Sequence, residues 1–328
     1  MIFNLIPDPQ DSRDWMFPFE PDAIIPASRD LRPFCSNIED QQSVGSCTGN
    51  ALCSAAEMFL KAGGKFADMS RLFNYYTARQ IMGYLYQARD TGSSMRMNLK
   101  AARNAGVAKE LVWPYNPADW NTEPSVAAKE DAIRFRAGGY FRIDHYGDNM
   151  VVTIKQALTK GFPVLVGMNT GTMLIDLKPT DKYLPISQTN QYFGAHEMLI
   201  VGYDENHFTL QNSWGASWCD GGFWKCDCNV LVNAVVDLWV MTGFADVDRV
   251  APDVTKYELH EWALANQQAA REWVMGNLGN VQFIIDMAFG KARLTASEFE
   301  AVMGLSTGWL KTYAEANTNY NWGGVSWA

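Results

Sequence analysis

Cys47 stands just after the turn Gly45-Ser46 and at the start of a small, apolar segment, in the stretch "DQQSVGSCTGNALCSAAEMFL". The nucleophilic form of cysteine is the thiolate, and the unpaired N–H groups and dipole of a helix N-terminus favour it. Thiol catalysis also needs a neighbouring base, a group that fixes the tautomer of that base, and donors for an oxyanion. Taken alone, the position leaves two readings open. Cys47 is either an aimed nucleophile or a small hydrophobe packed at a core edge.

There are four histidines, so the search for a base is short. His145 lies in the polar "RIDHYGD", His207 follows a turn, and His260 falls in a separate helix-patterned region. His196 differs, because it opens the apolar run "HEMLIVGY" directly after Gly194-Ala195. That run and "HFTLQNSW" read as a β-hairpin turning at Glu205-Asn206. Adjacent antiparallel strands then bring His196 near Asn212, whose side-chain carbonyl can accept the imidazole N–H. Trp214 and Trp218 in "NSWGASW" are placed to shield that bond from water.

The elements that must position these residues fall into two groups. Ala51, Leu52, Ala55, Ala56, Met58, Phe59 and Leu60 recur at helical spacing and stop at Gly63-Gly64, which predicts a helix beginning at Cys47–Thr48. Further helices are expected from Ser70 to Leu85, over "SMRMNLKAARNAG", and over "MVVTIKQALTKG". "VWPYNPADW" reads as a loop. The period then changes to that of strands, beginning with "FPVLVGMNT". Helices first and strands second argue α+β, a helical half facing a sheet half. Residues 1–27 read as an irregular arm, 28–250 as the main domain and 251–328 as a C-terminal helical appendage.

With these residues in place, the chain resembles a papain-like cysteine protease of the C1 type, in the bacterial and viral branch. "QQSVGSCTG" is the local form of the active-site word, and "NSWG" follows downstream. The resemblance implies that Cys47 is the nucleophile, His196 the general base, Asn212 the orienting asparagine and Gln41 the oxyanion-hole glutamine. The order Gln41, Cys47, His196, Asn212 agrees with the family. "DLRP" is similar to the mature N-terminus of bacterial and viral members, and "IKQALTKGFPVLVGM" to their helix and first core strand. "DTGSSMRMNLKAARNAGVAKELVWPY" is similar to the segment beside the non-primed cleft. It implies that Gly92, Ser93 and Ser94 line bound peptide, with Trp214 beside them. The resemblance covers residues 28–245.

Several positions depart from the family pattern. Val44 stands where secreted members carry a disulfide cysteine, and Thr48 replaces an aromatic residue. Glu197 directly follows the base, where a small residue is usual, and its side chain is expected on the opposite face of the strand. Cys219 replaces a glycine and narrows the cleft rim. Residues 1–27 are too few for the family's inhibitory propeptide but long enough to lie over a cleft.

Composition narrows the partners. With 48% hydrophobic and 19% charged residues the 328-residue chain reads as globular, and its net charge of −9, evenly spread, argues against nucleic acid or anionic membrane as partners. The N-terminus has no basic n-region, so no secretory signal is expected. Six sparse cysteines then suit reduced thiols in the cytoplasm or in a virion. Cys219, Cys226 and Cys228 lack the paired spacing of a zinc site, so no metal or other cofactor is expected. The leading reading is an endopeptidase, a thiol hydrolase acting on protein or peptide substrates, with a phage or viral protein that processes its partners as one setting. The alternative is a virion or assembly protein built on a protease fold. A Cys47 sulfur out of hydrogen-bond reach of His196, with a blocked cleft, is the pattern expected of that alternative. Trp262, Trp273, Trp309, Trp322 and Trp327 make the appendage a candidate surface for docking or self-association. Gly304 between two short helices is weak ground for a DNA-binding helix-turn-helix, since residues 251–328 hold more acidic than basic side chains.

Overall fold

The computed structural model describes residues 3–144, 146–175, 177–178 and 192–246, with 295–297, 300, 308, 311–312 and 315 beyond them. The helices are α1 (Cys47–Ala62), α2 (Arg71–Ile81), α3 (Met95–Asn104), α4 (Val126–Ala132), α5 (Asp148–Thr159), α6 (Thr172–Ile175) and α7 (Cys228–Ala234). The strands are β1 (Arg29–Asp30), β2 (Phe135–Ala137), β3 (Tyr140–Arg142), β4 (Val164–Gly171), β5 (Tyr192–Tyr203), β6 (His207–Gln211), β7 (Phe223–Asp227), β8 (Val235–Met241) and β9 (Phe244–Asp246). The chain divides into two units, 1–246 and 247–328, and all of these elements lie in the first. Apart from a few single positions, the expected appendage lies outside the described residues.

Helix α1 joins the two halves. Its small residues let α2, α3 and β5 approach it closely, and 13 of its 16 residues are buried. Glu57, buried on α1, accepts the Met69 backbone N–H at 2.8 Å and so fixes the chain entering α2. Ser70 caps α2 twice over. Its Oγ accepts the Phe73 N–H at 3.2 Å and donates to the Trp113 carbonyl at 2.6 Å. Helix α2 ends at Ile81, four residues before the expected Leu85, because the chain turns at Met82-Gly83. There the Gly83 N–H closes on Gln80 O and the Tyr84 N–H on Arg79 O.

The second half is a seven-stranded antiparallel sheet in the order β3-β8-β4-β5-β6-β7, with β1 paired to β5. The expected hairpin is β5–β6, with Leu199 opposite Gln211 and Tyr203 opposite Phe208. Strand β5 begins at Tyr192, so His196 sits inside the strand rather than opening it. Sequence reading did not find α4, α6, α7, β1, β2, β3, β7, β8 or β9. Residues 228–241 show why. They form one apolar run in which α7 passes directly into β8, and period alone does not separate a buried helix from a buried strand.

The arm has a defined course. Arg96 of α3 holds Asp14 through Nε at 2.9 Å and Nη2 at 2.6 Å, and its backbone N–H donates to Asp8 at 2.7 Å. Arg142 of β3 donates to the carbonyls of Pro9 at 2.9 Å and Asp8 at 3.1 Å. These contacts pin residues 8–14 and direct residues 3–6 across the junction of the two halves.

The Ser70 cap gives a stability test. Ser70→Ala removes one cap acceptor and leaves the half-buried Trp113 carbonyl without its donor. The expected loss is about 1–2 kcal/mol in urea unfolding, with the denaturant slope unchanged.

Candidate active site

The loop before α1 is fixed from three sides. Arg71 of α2 pairs with Glu39 and, at 3.0 Å, with Glu110. Asp90 accepts the Gly45 N–H at 2.5 Å and the Gly92 N–H at 3.1 Å, and it also receives the Tyr75 hydroxyl. Tyr115 donates to the Gln41 carbonyl at 2.8 Å, and its oxygen lies 2.8 Å from Ser46 Oγ. Cys47 therefore begins α1 in a fixed place, with its neighbour Asn50 returning a hydrogen bond from Nδ2 to Ser46 O at 2.9 Å.

Gln41 is held at both ends of its amide. Nε2 donates to Val44 O at 3.0 Å, and Oε1 accepts from Ser213 Oγ at 2.7 Å. An amide nitrogen carries two hydrogens, so one remains to donate elsewhere.

His196 Nε2 and Asn212 Oδ1 are 2.8 Å apart, as the hairpin predicted. The same Oδ1 accepts the Ser213 N–H at 2.8 Å, so its direction is fixed from the backbone. An oxygen can only accept, and the bond therefore puts the imidazole proton on Nε2 and leaves Nδ1 as the basic nitrogen. Trp214 stacks on the ring at 4.9 Å between centroids and 23° between planes, and Trp218 meets Trp214 edge-on at 5.3 Å. Nδ1 is buried without a hydrogen-bond partner.

The remaining expected residues lie under the arm. Leu5 N–H donates to Ala195 O and Ile6 N–H to Ser93 O, both at 3.1 Å. A Cβ on Gly92 would stand 1.6 Å from Asn4 O, so only glycine lets the arm approach here. Ser93 Oγ meets Thr48 Oγ1 at 2.7 Å and accepts from Asn98 Nδ2 at 2.9 Å. Ser94 precedes α3 and hydrogen-bonds Asp8. Phe3 packs edge-on against both His196 and Trp214. Leu5 covers Cys47, with Ala195 and Val236 beside it.

This cover sets the charge state. Cys47 and His196 are both fully buried. Burial pushes the thiol up to about 12, outweighing backbone hydrogen bonding from Glu197 and Thr48. Burial likewise takes the imidazole down to about 4, against the opposing pull of the Asn212 bond. At neutral pH the covered pair is thus a thiol beside a neutral ring.

Two neighbours that depart from the family pattern are both buried. Glu197 follows His196 in the strand, so alternation puts it on the opposite face as expected, and it does not raise the ring. It is 1% exposed, and both carboxyl oxygens lack partners. Cys219 is buried with φ +46, a conformation natural to the glycine it replaces. His207 lies 3.0 Å from Asp204, while His145 and His260 lie outside the described residues. Sequence reasoning gave no role to Asp90, Tyr115 or Ser213, although Asp90 and Tyr115 open and close the quoted segment beside the cleft and Ser213 stands in "NSWG". The one available signal was adjacency, since Ser213 and Asp90 lie within two residues of assigned positions. All six cysteines are free, and no helix among the described residues is long and apolar enough to cross a membrane.

Residues 25–236 match the papain family of cysteine proteases. An uncharacterized peptidase C1-like protein of Acanthamoeba polyphaga mimivirus is 31% identical over 219 residues, covering 63% of this chain and 70% of that one. Xylellain, a cysteine protease from Xylella fastidiosa, superposes with a TM-score of 0.68 at 27% identity, over 74% of this chain and 96% of its own. A digestive procathepsin L2 proteinase from the larval midgut of Tenebrio molitor shares the fold, with a TM-score of 0.57 at 23% identity over 73% of this chain and 78% of its own.

A raised thiol pKa has a direct readout. Alkylation of Cys47 in the intact chain, followed by peptide mass spectrometry, should be slow at pH 7. It should then rise about tenfold per pH unit up to pH 10, because only the thiolate reacts. A rate already flat above pH 7 would mean that the sulfur is ionised beneath the arm.

Proposed function

The chain belongs to the papain family of cysteine proteases and is a hydrolase, and within that family we propose that it is an endopeptidase working through Cys47, His196 and Asn212. One observation carries the reading. His196 is bonded through Nε2 to Asn212 under Trp214, and its other nitrogen is left basic and without a hydrogen-bond partner. With peptide in place of the arm, Nδ1 takes the thiol proton and the sulfur attacks the scissile carbonyl. The remaining Gln41 Nε2 hydrogen and the Cys47 backbone N–H stabilise the oxyanion. Nδ1 then returns the proton to the leaving amine, and water hydrolyses the thioester. Gly92, Ser93 and Ser94 bind the substrate backbone where the arm now lies, and Trp214 closes the far wall.

The buried Cys47, without a hydrogen bond to His196, favours the alternative of a structural protein on a protease fold. Against it, the cover is a tethered segment of the chain, and beneath it Gln41 is bonded to Val44 and Ser213 and His196 to Asn212. We read the described form as latent. The finer setting is a viral or phage protein that cleaves its partners and docks through residues 251–328; of these points, only the viral one draws support from the mimivirus relative.

Asp14→Ala loosens the arm by removing its double hold on Arg96, and should speed both Cys47 labelling and peptide turnover. In that background Cys47→Ala should abolish turnover. His196→Ala should cost about 100-fold or more in kcat, and Asn212→Ala less, since it only orients the ring. Fast labelling with no turnover of any peptide would leave the structural reading standing.

A further inference from the structure

Three adjacent strands place Glu197, Gly167 and Asp237 in one row. Gly167 of β4 is paired with Glu197 of β5 on one side and with Asp237 of β8 on the other. Residues directly opposite one another in a sheet present their side chains to the same face. The central member has no side chain, and the hollow this leaves is narrow. A Cβ on Gly167 would stand 2.5 Å from Asp237 Oδ1 and 2.6 Å from Leu5 Cδ2. The hollow thus has a glycine floor, the Asp237 carboxyl on one side and Glu197 as the paired residue on the other, with the Leu5 side chain as its present content. It adjoins Cys47, which packs against the same Leu5.

Leu5 suits this hollow poorly. Glu197 is 1% exposed and neither of its carboxyl oxygens has a partner. Asp237 is 4% exposed, with Oδ2 accepting the Asp8 N–H at 2.8 Å and Oδ1 unpartnered. Burial holds both acids well up, Asp237 to about 7, and Asp8 and Asp237 push Glu197 further. The nearby cations, Arg96 and Arg142, are engaged by Asp8 and Asp14. Their charges reach Asp237 but are not among the influences on Glu197. Unpaired buried acids are costly, and an apolar plug does nothing to relieve them.

Resting on the peptidase reading, we propose that this hollow is a specificity pocket for a lysine or arginine side chain of the substrate, with Glu197 and Asp237 as its determinants. A guanidinium or ammonium group entering where Leu5 now sits meets the free oxygens of both acids and forms charge-assisted hydrogen bonds with them. A site built to pair with a polar group discriminates sharply against a ligand that lacks one. The arm is then a deliberately mismatched occupant, able to cover Cys47 yet displaced by a basic peptide.

The test uses the intact chain and reads the arm itself as the ligand. Leu5→Arg places a cation in the hollow and should slow Cys47 alkylation about tenfold relative to wild type, whereas Leu5→Glu should accelerate it. In a Glu197→Gln/Asp237→Asn background the two variants should no longer differ. Thermal melts establish that each variant is folded. Leu5→Arg accelerating alkylation as much as Leu5→Glu overturns the proposal. In parallel, peptides differing only by Arg, Lys or Leu at each position before the scissile bond are compared by kcat/KM. A basic preference at one position, lost in the Glu197→Gln/Asp237→Asn protein, supports the pocket, and a leucine preference indifferent to those changes overturns it. Absence of all turnover, with the alkylation pattern intact, removes the catalytic reading and leaves the basic pocket in place.

Discussion

A neutral imidazole has one donor and one acceptor, and nearly everything around the site serves to decide which nitrogen is which. The 2.8 Å bond from His196 to Asn212 makes that decision. It exists only if β5 and β6 pair in a register that brings a mid-strand residue beside one just past the next strand's end. A shift in pairing between Ile200 and Gly202 adjusts that register. Asn212 is held in turn by the Ser213 N–H, and Ser213 Oγ reaches Gln41. The chain of contacts therefore runs from the sheet half back to the loop before α1, which belongs to the helical half. Breaking the hairpin register would misplace the base and the Gln41 amide together.

The fold class and a candidate site were easier to read from the sequence than the element boundaries were. Cys47, His196, Asn212 and Gln41 could be nominated because the roles proposed for them demand particular residue types in particular local words. Helix α1 was readable because its apolar residues keep a helical period up to Gly63. The boundaries that failed, at Leu85 and at the start of β5, are set by turn hydrogen bonds and by pairing with distant strands, neither of which leaves a periodic trace. Strand β8 was invisible for a related reason, being buried on both faces and fused to α7. Asp90, Tyr115 and Asp237 were given no role because the identity of an acid or a phenol does not say what it will meet, and its meaning comes only from what the fold sets against it.

Glu197 shows the limit of reasoning by strand alternation. The period of two puts its side chain on the face opposite His196, and the pairing of Gly167 with both Glu197 and Asp237 fits that. What alternation cannot say is whether that face meets water. Here it does not, and Glu197 becomes one of two buried acids with unpartnered oxygens.

The anchoring of the arm at residues 8–14 governs how strongly residues 3–6 can cover the site. Two backbone hydrogen bonds, a third from the Asn4 side-chain amide, and the Phe3 and Leu5 side chains would make a weak ligand free in solution. Joined to Asp8 by a tether of one or two residues, the same segment acts at an effective concentration in the millimolar range or above. Its hold is thus a property of chain connectivity more than of contact quality. A free peptide must outcompete that local concentration to enter, whereas a single backbone scission between Ile6 and Asp8 would reduce the cover to a weakly bound fragment that dilution removes.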